Sequence, residues 1–492
     1  MATVPGIRVR PLNDAPVRAN GGFVLYWMTA FRRTSWNLAL QRAVEWSREV
    51  DRPLLIFEAL RCDYPWASDR LHRFVLEGMA DNRRRCEEAG VAYYPYVEPA
   101  VGRGGGLLVA LAGHSCAVVA DDFPAFFLPR MLRAAVRRLP VRLEAVDANG
   151  LLPLRAAGRA FPTAYAFRRF LQKALPEHLA MFPEPEPLED AGGTLAVVPD
   201  AVLDRWPPAS PELLAGDAAA LGRLPVDHGV LPAPVRGGEA AARERLREFV
   251  DRGLARYAED RNHPDRDATS GLSPYLHFGH LSVHEVFAAV MSAEGWSEDL
   301  LSRRADGRRS GWWRASASAE ALLDQLITWR ELGFAGCAYG EAWDRYESLP
   351  AWARATLERH AGDPRPYVYR LSEFEAAATH DPLWNAAQRQ LLREGRLHNY
   401  LRMLWGKKIL EWSPSPRKAL EVMLTLNDRY ALDGRDPNSV TGILWCLGRH
   451  DRAWGPERPV FGTVRFMSSE NTRRKVEVRR YLEVYGAGLR GH

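Results

Sequence analysis

Three tryptophans, Trp384, Trp405 and Trp412, lie in a stretch (380–466) where Trp, Asn, Asp and Arg alternate at a density no ordinary core requires. Indole is among the side chains most easily oxidised by one electron, so their spacing matters. Trp405 and Trp412 are seven residues apart, two helical turns, and share one face. Trp384 belongs to a second helix, whose start is marked by Asp381 as cap and Pro382 at the first position. Three indoles on neighbouring helices can approach to ring-to-ring distance. Aromatic residues at this spacing are usually core, and spacing alone favours that reading over a redox one. A second candidate is T-S-G-L-S-P-Y-L-H-F-G-H (269–280), where Thr269, Ser270 and Ser273 supply hydroxyls. Backbone N–H groups opening a helix at Pro274 can hold an anion through the positive end of the helix dipole. The alternative is a plain Ser/Thr N-cap.

The elements that must position these residues divide in two. A chain of 492 residues exceeds one comfortable core, so two domains are expected. Over 20–150, short apolar runs at 24–27, 54–57, 91–96, 117–120 and 141–146 alternate with amphipathic stretches at 35–50 and 69–89, which predicts a Rossmann-like α/β domain with a doubly wound parallel sheet. The glycine cluster Gly102 to Gly106 follows the third strand but does not match G-x-G-x-x-G, and reads as a loop, not a dinucleotide cradle. The segment 151–238 reads as an interdomain linker, because from about Phe182 it turns Pro-, Ala- and Gly-rich and breaks any long element. From Glu239 the pattern is nearly all helical, an α-helical domain running over 239–482 ahead of a glycine-containing tail.

Composition sets further limits. No run of eighteen apolar residues occurs and the start lacks the apolar core of a secretion signal, so a cytoplasmic protein without a membrane partner is expected. Five scattered cysteines without a C-x-x-C pair argue against a disulfide framework, and no metal is expected. The net charge of +5 hints only weakly at nucleic acid, but arginines and lysines cluster at 302–314 and 472–480. These clusters are either solvated faces or phosphate contacts.

The motifs H-D-P-L-W-N-A-A-Q, H-N-Y-L-R-M-L-W-G-K-K-I-L-E-W, L-N-D-R-Y-A-L-D-G-R-D-P-N and H-D-R-A-W-G, together with 269–280 and the weaker F-V-L-Y-W-M (23–28), resemble class II DNA photolyases, the light-driven flavoenzymes that split cyclobutane pyrimidine dimers. The resemblance covers most of the chain outside roughly 150–240. It implies the photolyase/cryptochrome fold, with the helical domain as the FAD-binding catalytic domain and damaged DNA as the partner of a monomer. It implies that Tyr257, Thr269, Ser270, Gly271, Leu272 and Ser273 serve the phosphate side of FAD. Asn399 and Arg402 match flavin-edge residues, with Arg402 pairing with Asp433 or Asp436, and Asn427 matches the asparagine placed against flavin N5. Trp384 and Trp405 would be the inner members of an electron-transfer chain, Trp412 its branch toward the surface and Tyr369 an auxiliary donor. Trp329, Met403 and Trp445 match walls of the lesion pocket, Tyr400 borders it, and Asp451 and Arg452 would fill the gap left in the DNA by the extruded lesion.

One position departs from that pattern. Gln325 stands where dimer-repairing relatives carry a glutamate that hydrogen-bonds the thymine carbonyl. An amide keeps the shape and an N–H donor but cannot deliver a proton. Asp324 is adjacent but points about 100° away on an α-helix. A weakened dimer pocket, a photolyase-like protein with another lesion or a small molecule as substrate, and a cryptochrome-like photoreceptor all remain open. The first domain shows no decisive residues for the antenna pigment, a deazaflavin or a folate, that this superfamily can carry.

Overall fold

The computed structural model describes residues 3–191 and 193–486; the end of the glycine-containing tail lies outside the described residues. The chain packs as two compact units, one of 1–158, 174–247 and 272–292, the other of 159–173, 248–271 and 293 onward.

The first unit is built on a six-stranded sheet of β1 (Val9–Pro11), β2 (Phe23–Met28), β3 (Leu54–Leu60), β4 (Ala92–Val97), β5 (Ser115–Asp121) and β6 (Arg142–Val146). The spatial order is β1-β6-β5-β2-β3-β4, with β2 to β6 parallel and β1 antiparallel at the edge. The five parallel strands are those expected from the apolar runs. They read as continuous hydrophobic stretches because both faces are covered. Alternate residues Leu25, Trp27, Leu55, Phe57, Val118 and Ala120 pack under helices Leu107–His114 and Leu128–Val136. The intervening residues meet the opposite side, where helix Leu38–Glu49 buries Leu38, Leu40 and Val44. β1 went unforeseen, since three residues with Pro11 at an edge carry no apolar period.

The crevice between β2 and β5 is where strand order reverses, the usual ligand position of such sheets. Here the Asp121 carboxylate, at the end of β5, accepts N–H bonds from Thr29 (2.7 Å), Ala30 (2.7 Å) and Phe31 (2.9 Å) and the Tyr26 hydroxyl (2.8 Å). Three successive amides form an anion nest, and the protein's own carboxylate fills it. Burial pushes the Asp121 carboxyl above its ordinary pKa, against those bonds. The glycine cluster at 102–106 is a turn whose Gly104 N–H donates to Glu98 Oε1 at 3.0 Å, and Gly106 (φ 93°) starts the next helix.

The packing units cut across the boundaries expected from composition. Residues 174–247 form short helices, Asp200–Arg205, Pro211–Leu214 and Ala218–Leu221, whose apolar side chains bury against the sheet unit. Val202 and Trp206 join the core of Tyr94, Leu107 and Leu111, while Leu214, Leu221 and Leu224 cover Val75, Leu76 and Met79. Helix Glu239–Glu248, where the helical domain was expected to open, belongs almost entirely to the sheet unit. Gly279, at φ 74°, lies so close to Ala30 that an added Cβ would stand 1.9 Å from its carbonyl oxygen. Replacing Gly279 by alanine adds left-handed strain to a backbone collision and is expected to cost on the order of 3 kcal/mol. Calorimetry should show the fall in Tm; an unchanged Tm would contradict this packing.

No described helix is long and apolar enough to cross a membrane.

Candidate functional site

The helical unit places its site on helices whose starts are written in sequence. Pro382–Glu394, Pro416–Tyr430 and Pro437–Trp445 each begin with proline in the first turn, behind the capping side chains of Asp381, Ser415 and Asp436. Helix Asn399–Trp412 lies between these elements, in contact with all three.

The three tryptophans come together. All are essentially sealed from solvent: Trp384 and Trp405 are 0% and Trp412 is 2% exposed. Trp384 and Trp405 stack at 6.5 Å between ring centroids with planes 2° apart, and Trp384 meets Trp412 edge-on at 6.0 Å. Polar tips are fixed as well. Trp384 Nε1 donates to the Trp405 carbonyl at 3.0 Å, and Trp405 Nε1 donates to Gln388 Oε1 at 2.9 Å. Trp412 is itself buried, so a path from it toward the surface runs through a further residue. Tyr369 extends the series, 5.7 Å from Trp412, and its ring leads to the exposed His380 and Tyr367.

A polar network sits on the neighbouring face. Arg402 Nη2 donates to both oxygens of Asp433 at 3.0 Å, with side chains 15% and 12% exposed. Of the two carboxylates expected to pair with Arg402, Asp433 does so. Asp436 accepts from the Asn438 N–H at 2.8 Å as a helix cap. Arg402 Nη1 also donates to Ser439 Oγ at 3.3 Å, and Asn427 Nδ2 donates to the same hydroxyl at 3.1 Å and to Asp428 Oδ1 at 2.9 Å. Ser439 thus links guanidinium to amide, a role that no feature of D-P-N-S-V advertises. Asn399 is exposed at the helix start, while Tyr400 and Met403 are half-buried.

His398, the residue before that helix, is 8% exposed, and neither ring nitrogen has a hydrogen-bond partner among the described residues. Burial drops its pKa to about 4, so a neutral imidazole offers one donor and one acceptor to whatever binds beside it. Lys407 is fully buried, with Nζ 2.6 Å from the Cys446 carbonyl, and burial lowers its pKa to about 8. It ties the end of the Trp445 helix to helix Asn399–Trp412.

Trp329 and Trp445 stack at 4.5 Å with planes 19° apart, both half-buried, which makes a flat aromatic wall. Gln325, half-buried, lies four residues before Trp329 in a π-helical segment, Asp324–Trp329, not in a regular α-helix. Such segments occur often at functional sites. Asp324 is held elsewhere, accepting from Arg168 Nε (3.0 Å) and Nη2 (2.8 Å). The basic segment 302–314 clips onto the same place: Gly307 and Arg308 bond to Arg168 and Gln172, and Arg309 stands 3.6 Å from Asp324.

Tyr257 is buried and starts helix Tyr257–Asp260, its hydroxyl pKa raised by burial. Thr269, Ser270 and Gly271 are half-buried, Leu272 is buried and Ser273 exposed. The helix that follows, Ser273–Phe278, has Leu272 at its N-cap position, with no side-chain acceptor. Asp451 accepts from the Arg452 N–H (2.9 Å) and Trp454 Nε1 (3.1 Å) in an exposed loop. Trp454, not singled out by sequence, has Arg452 and Arg465 packed on its ring at 4.7 and 5.1 Å. An exposed indole flanked by guanidiniums suits bases and phosphates.

The chain is 35% identical over 478 residues, 97% of each sequence, to the protein named deoxyribodipyrimidine photo-lyase in Methanothermobacter thermautotrophicus. It is 34% identical over 482 residues to the protein of that name in Oryza sativa, covering 94% of this chain and 87% of the relative. No family model matches. The crystal structure of a bacterial class III photolyase from Agrobacterium tumefaciens superposes with a TM-score of 0.65 at 18% identity, covering 94% of this chain and 86% of that one. That likeness speaks for the fold.

Proposed function

The chain belongs to the deoxyribodipyrimidine photo-lyase family, and from that premise we propose that it repairs cyclobutane pyrimidine dimers in DNA under light, with FAD as cofactor and along class II lines. The observation that carries this reading is the succession of buried indoles beside the Arg402 network. Electron tunnelling weakens steeply with distance, so rings 6.0 and 6.5 Å apart between centroids give short hops.

The donor set fits a flavin. His398 offers two ring nitrogens that have no partner among the described residues, Arg402 a charge already neutralised by Asp433, and Asn399 an exposed amide. Arg402, Asn399, Asn427 and Asp433 would hold the ring side. Tyr257, Thr269, Ser270, Gly271, Leu272 and Ser273 would hold the phosphates, and Asp436 would act through the helix it caps. Bound and reduced, the flavin supplies light absorption and the electron that opens the cyclobutane ring. The chain's residues supply the rest. Trp329, Trp445 and Met403 give an apolar wall for an extruded dimer, bordered by Tyr400. The Asp451–Arg452 loop would brace the duplex, and basic side chains would give salt-dependent, sequence-independent affinity. The direct test is to photoreduce the loaded enzyme and add an oligonucleotide with one thymine dimer under blue light. Recovery of the pyrimidine ultraviolet absorbance is expected in light and not in darkness; no recovery in light refutes the proposal.

Gln325 favours a second reading, a pocket weakened for dimers or redirected to another substrate. Substituting glutamate tests it. A carboxyl in this half-buried position next to Trp329 should have its pKa raised by desolvation and offer an O–H that the amide lacks. For Gln325→Glu, repair per absorbed photon is expected to rise by about threefold or more, less than the range typical of general acids. A fall in dimer repair would show that the amide is matched to a different substrate.

A further inference from the structure

Resting on the reading that the indoles carry electrons, we propose that His380 is the proton acceptor that lets Tyr369 act as terminal donor of the chain. The Tyr369 hydroxyl lies 2.7 Å from His380 Nδ1, and the same oxygen accepts the His380 backbone N–H at 3.0 Å. One residue thus takes the phenol proton and steadies the oxygen that remains. Tyr369 is fixed against the indole it must refill: its N–H donates to the Trp412 carbonyl at 3.1 Å, and the rings lie 5.7 Å apart. Tyr367 stacks on the His380 ring at 3.7 Å, which holds the imidazole in place and offers an aromatic face to the cation it becomes. His380 is exposed, so the proton can pass on to water from Nε2.

Chemistry requires such a base. An oxidised phenol is a very strong acid, and a tyrosine that keeps its proton is a poor donor to an oxidised indole. In the step, Trp412 has lost an electron through Trp384 and Trp405 to the one-electron oxidant, a photoexcited oxidised flavin. The Tyr369 O–H bond breaks; its electron goes to Trp412 and its proton to His380 Nδ1. The products are a neutral indole, a neutral tyrosyl radical and an imidazolium. A solvent reductant of the thiol class later returns the electron, and the proton returns with it. Lys408 favours the same direction. Its ammonium lies 5.4 Å from the Trp412 ring centre and disfavours positive charge there, although Glu411, 2.6 Å from Nζ, offsets part of this. A neutral radical on Tyr369 escapes that repulsion.

The test is flash photolysis of the FAD-loaded protein, with time-resolved absorption and electron paramagnetic resonance to distinguish tyrosyl from tryptophanyl radicals. In the parent protein the last radical formed should be tyrosyl, and its formation should slow in D2O. In His380→Gln, which keeps an acceptor but no base, tyrosyl formation should slow by at least about a hundredfold, the low end of general-base contributions, and oxidised Trp412 should persist. His380→Ala should behave alike and recover when imidazole is added. Unchanged tyrosyl kinetics in both variants overturn the proposal. Trp412→Phe separates the two ideas: loss of the tyrosyl signal there sustains the electron chain whatever the histidine variants do, and an unaltered signal overturns the chain and this proposal together.

Discussion

Replacing Trp384 by phenylalanine is expected to slow light-driven reduction of the bound flavin by about two orders of magnitude, equivalent to about 2.7 kcal/mol of added barrier. Trp384 is the one ring that meets both other indoles, at 6.5 Å to Trp405 and 6.0 Å to Trp412. Phenylalanine keeps an aromatic ring in the gap but is far too hard to oxidise to hold the charge between hops. The fold should survive. The site is fully buried, so the lost volume costs on the order of 1–2 kcal/mol, well below truncation to alanine. The Trp405 carbonyl loses a side-chain donor and keeps its helical position. What makes the result specific is its counterpart: enzyme reduced beforehand with dithionite should repair dimers as fast as the parent, because in the proposed mechanism the indoles refill the flavin and take no part in the repair step. Photoreduction rate, followed as bleaching of the oxidised flavin band, and repair of pre-reduced enzyme are the two measurements. A variant that photoreduces normally would remove the tryptophans from function and return them to the core.

Both outcomes were open in the sequence. Trp405 and Trp412 share a face by spacing, and Asp381 with Pro382 marks the start of the Trp384 helix, where Asp381 Oδ1 accepts the N–H groups of Leu383 (2.9 Å) and Trp384 (3.1 Å). These are local signals, carried by a few neighbouring residues. The five parallel strands are legible for the same reason. The partition into units is not, since it depends on which distant surface a short helix covers. Leu214 and Leu221 lie in a segment whose composition suggests a linker, yet they complete the core under Met79.

The site divides along the same line. Arg402 could be expected to find a carboxylate in D-G-R-D; the choice of Asp433 over Asp436 follows from helix Pro437–Trp445 using Asp436 as its cap. Ser439 and Lys407 matter because of partners thirty or more residues away, Arg402 and the Cys446 carbonyl. Nothing in their neighbours says so. Gln325 is legible by type, but the π-helical turn that presents it is not, because no residue type marks such a turn.

The Arg402–Asp433 pair makes the second large prediction, since it is the mostly buried charge pair proposed to face the flavin ring. Arg402→Met removes the Nη2 donor to both Asp433 oxygens and leaves the Asp433 carboxylate mostly buried, without its guanidinium. Breaking such a pair from one side costs about 3–5 kcal/mol, most of it the penalty of an uncompensated charge. Two consequences are expected. The protein should unfold at markedly lower denaturant concentration, and its flavin should be released at least about a hundredfold more readily, the equivalent of 2.7 kcal/mol. Ser439 loses its guanidinium donor as well, so the Asn427 amide beside it loosens. The double variant Arg402→Met/Asp433→Ala decides whether charge is the cause. If the stranded carboxylate carries the penalty, removing it restores much of the stability lost in Arg402→Met while flavin affinity stays low, because no guanidinium returns to the ring. If the double variant is as unstable as the sum of the two single changes, the pair contributes through packing and its place beside a charged ring must be abandoned. Equilibrium unfolding and flavin titration on the four proteins of this cycle separate the two roles proposed for one arginine: holding the fold closed, and facing the cofactor.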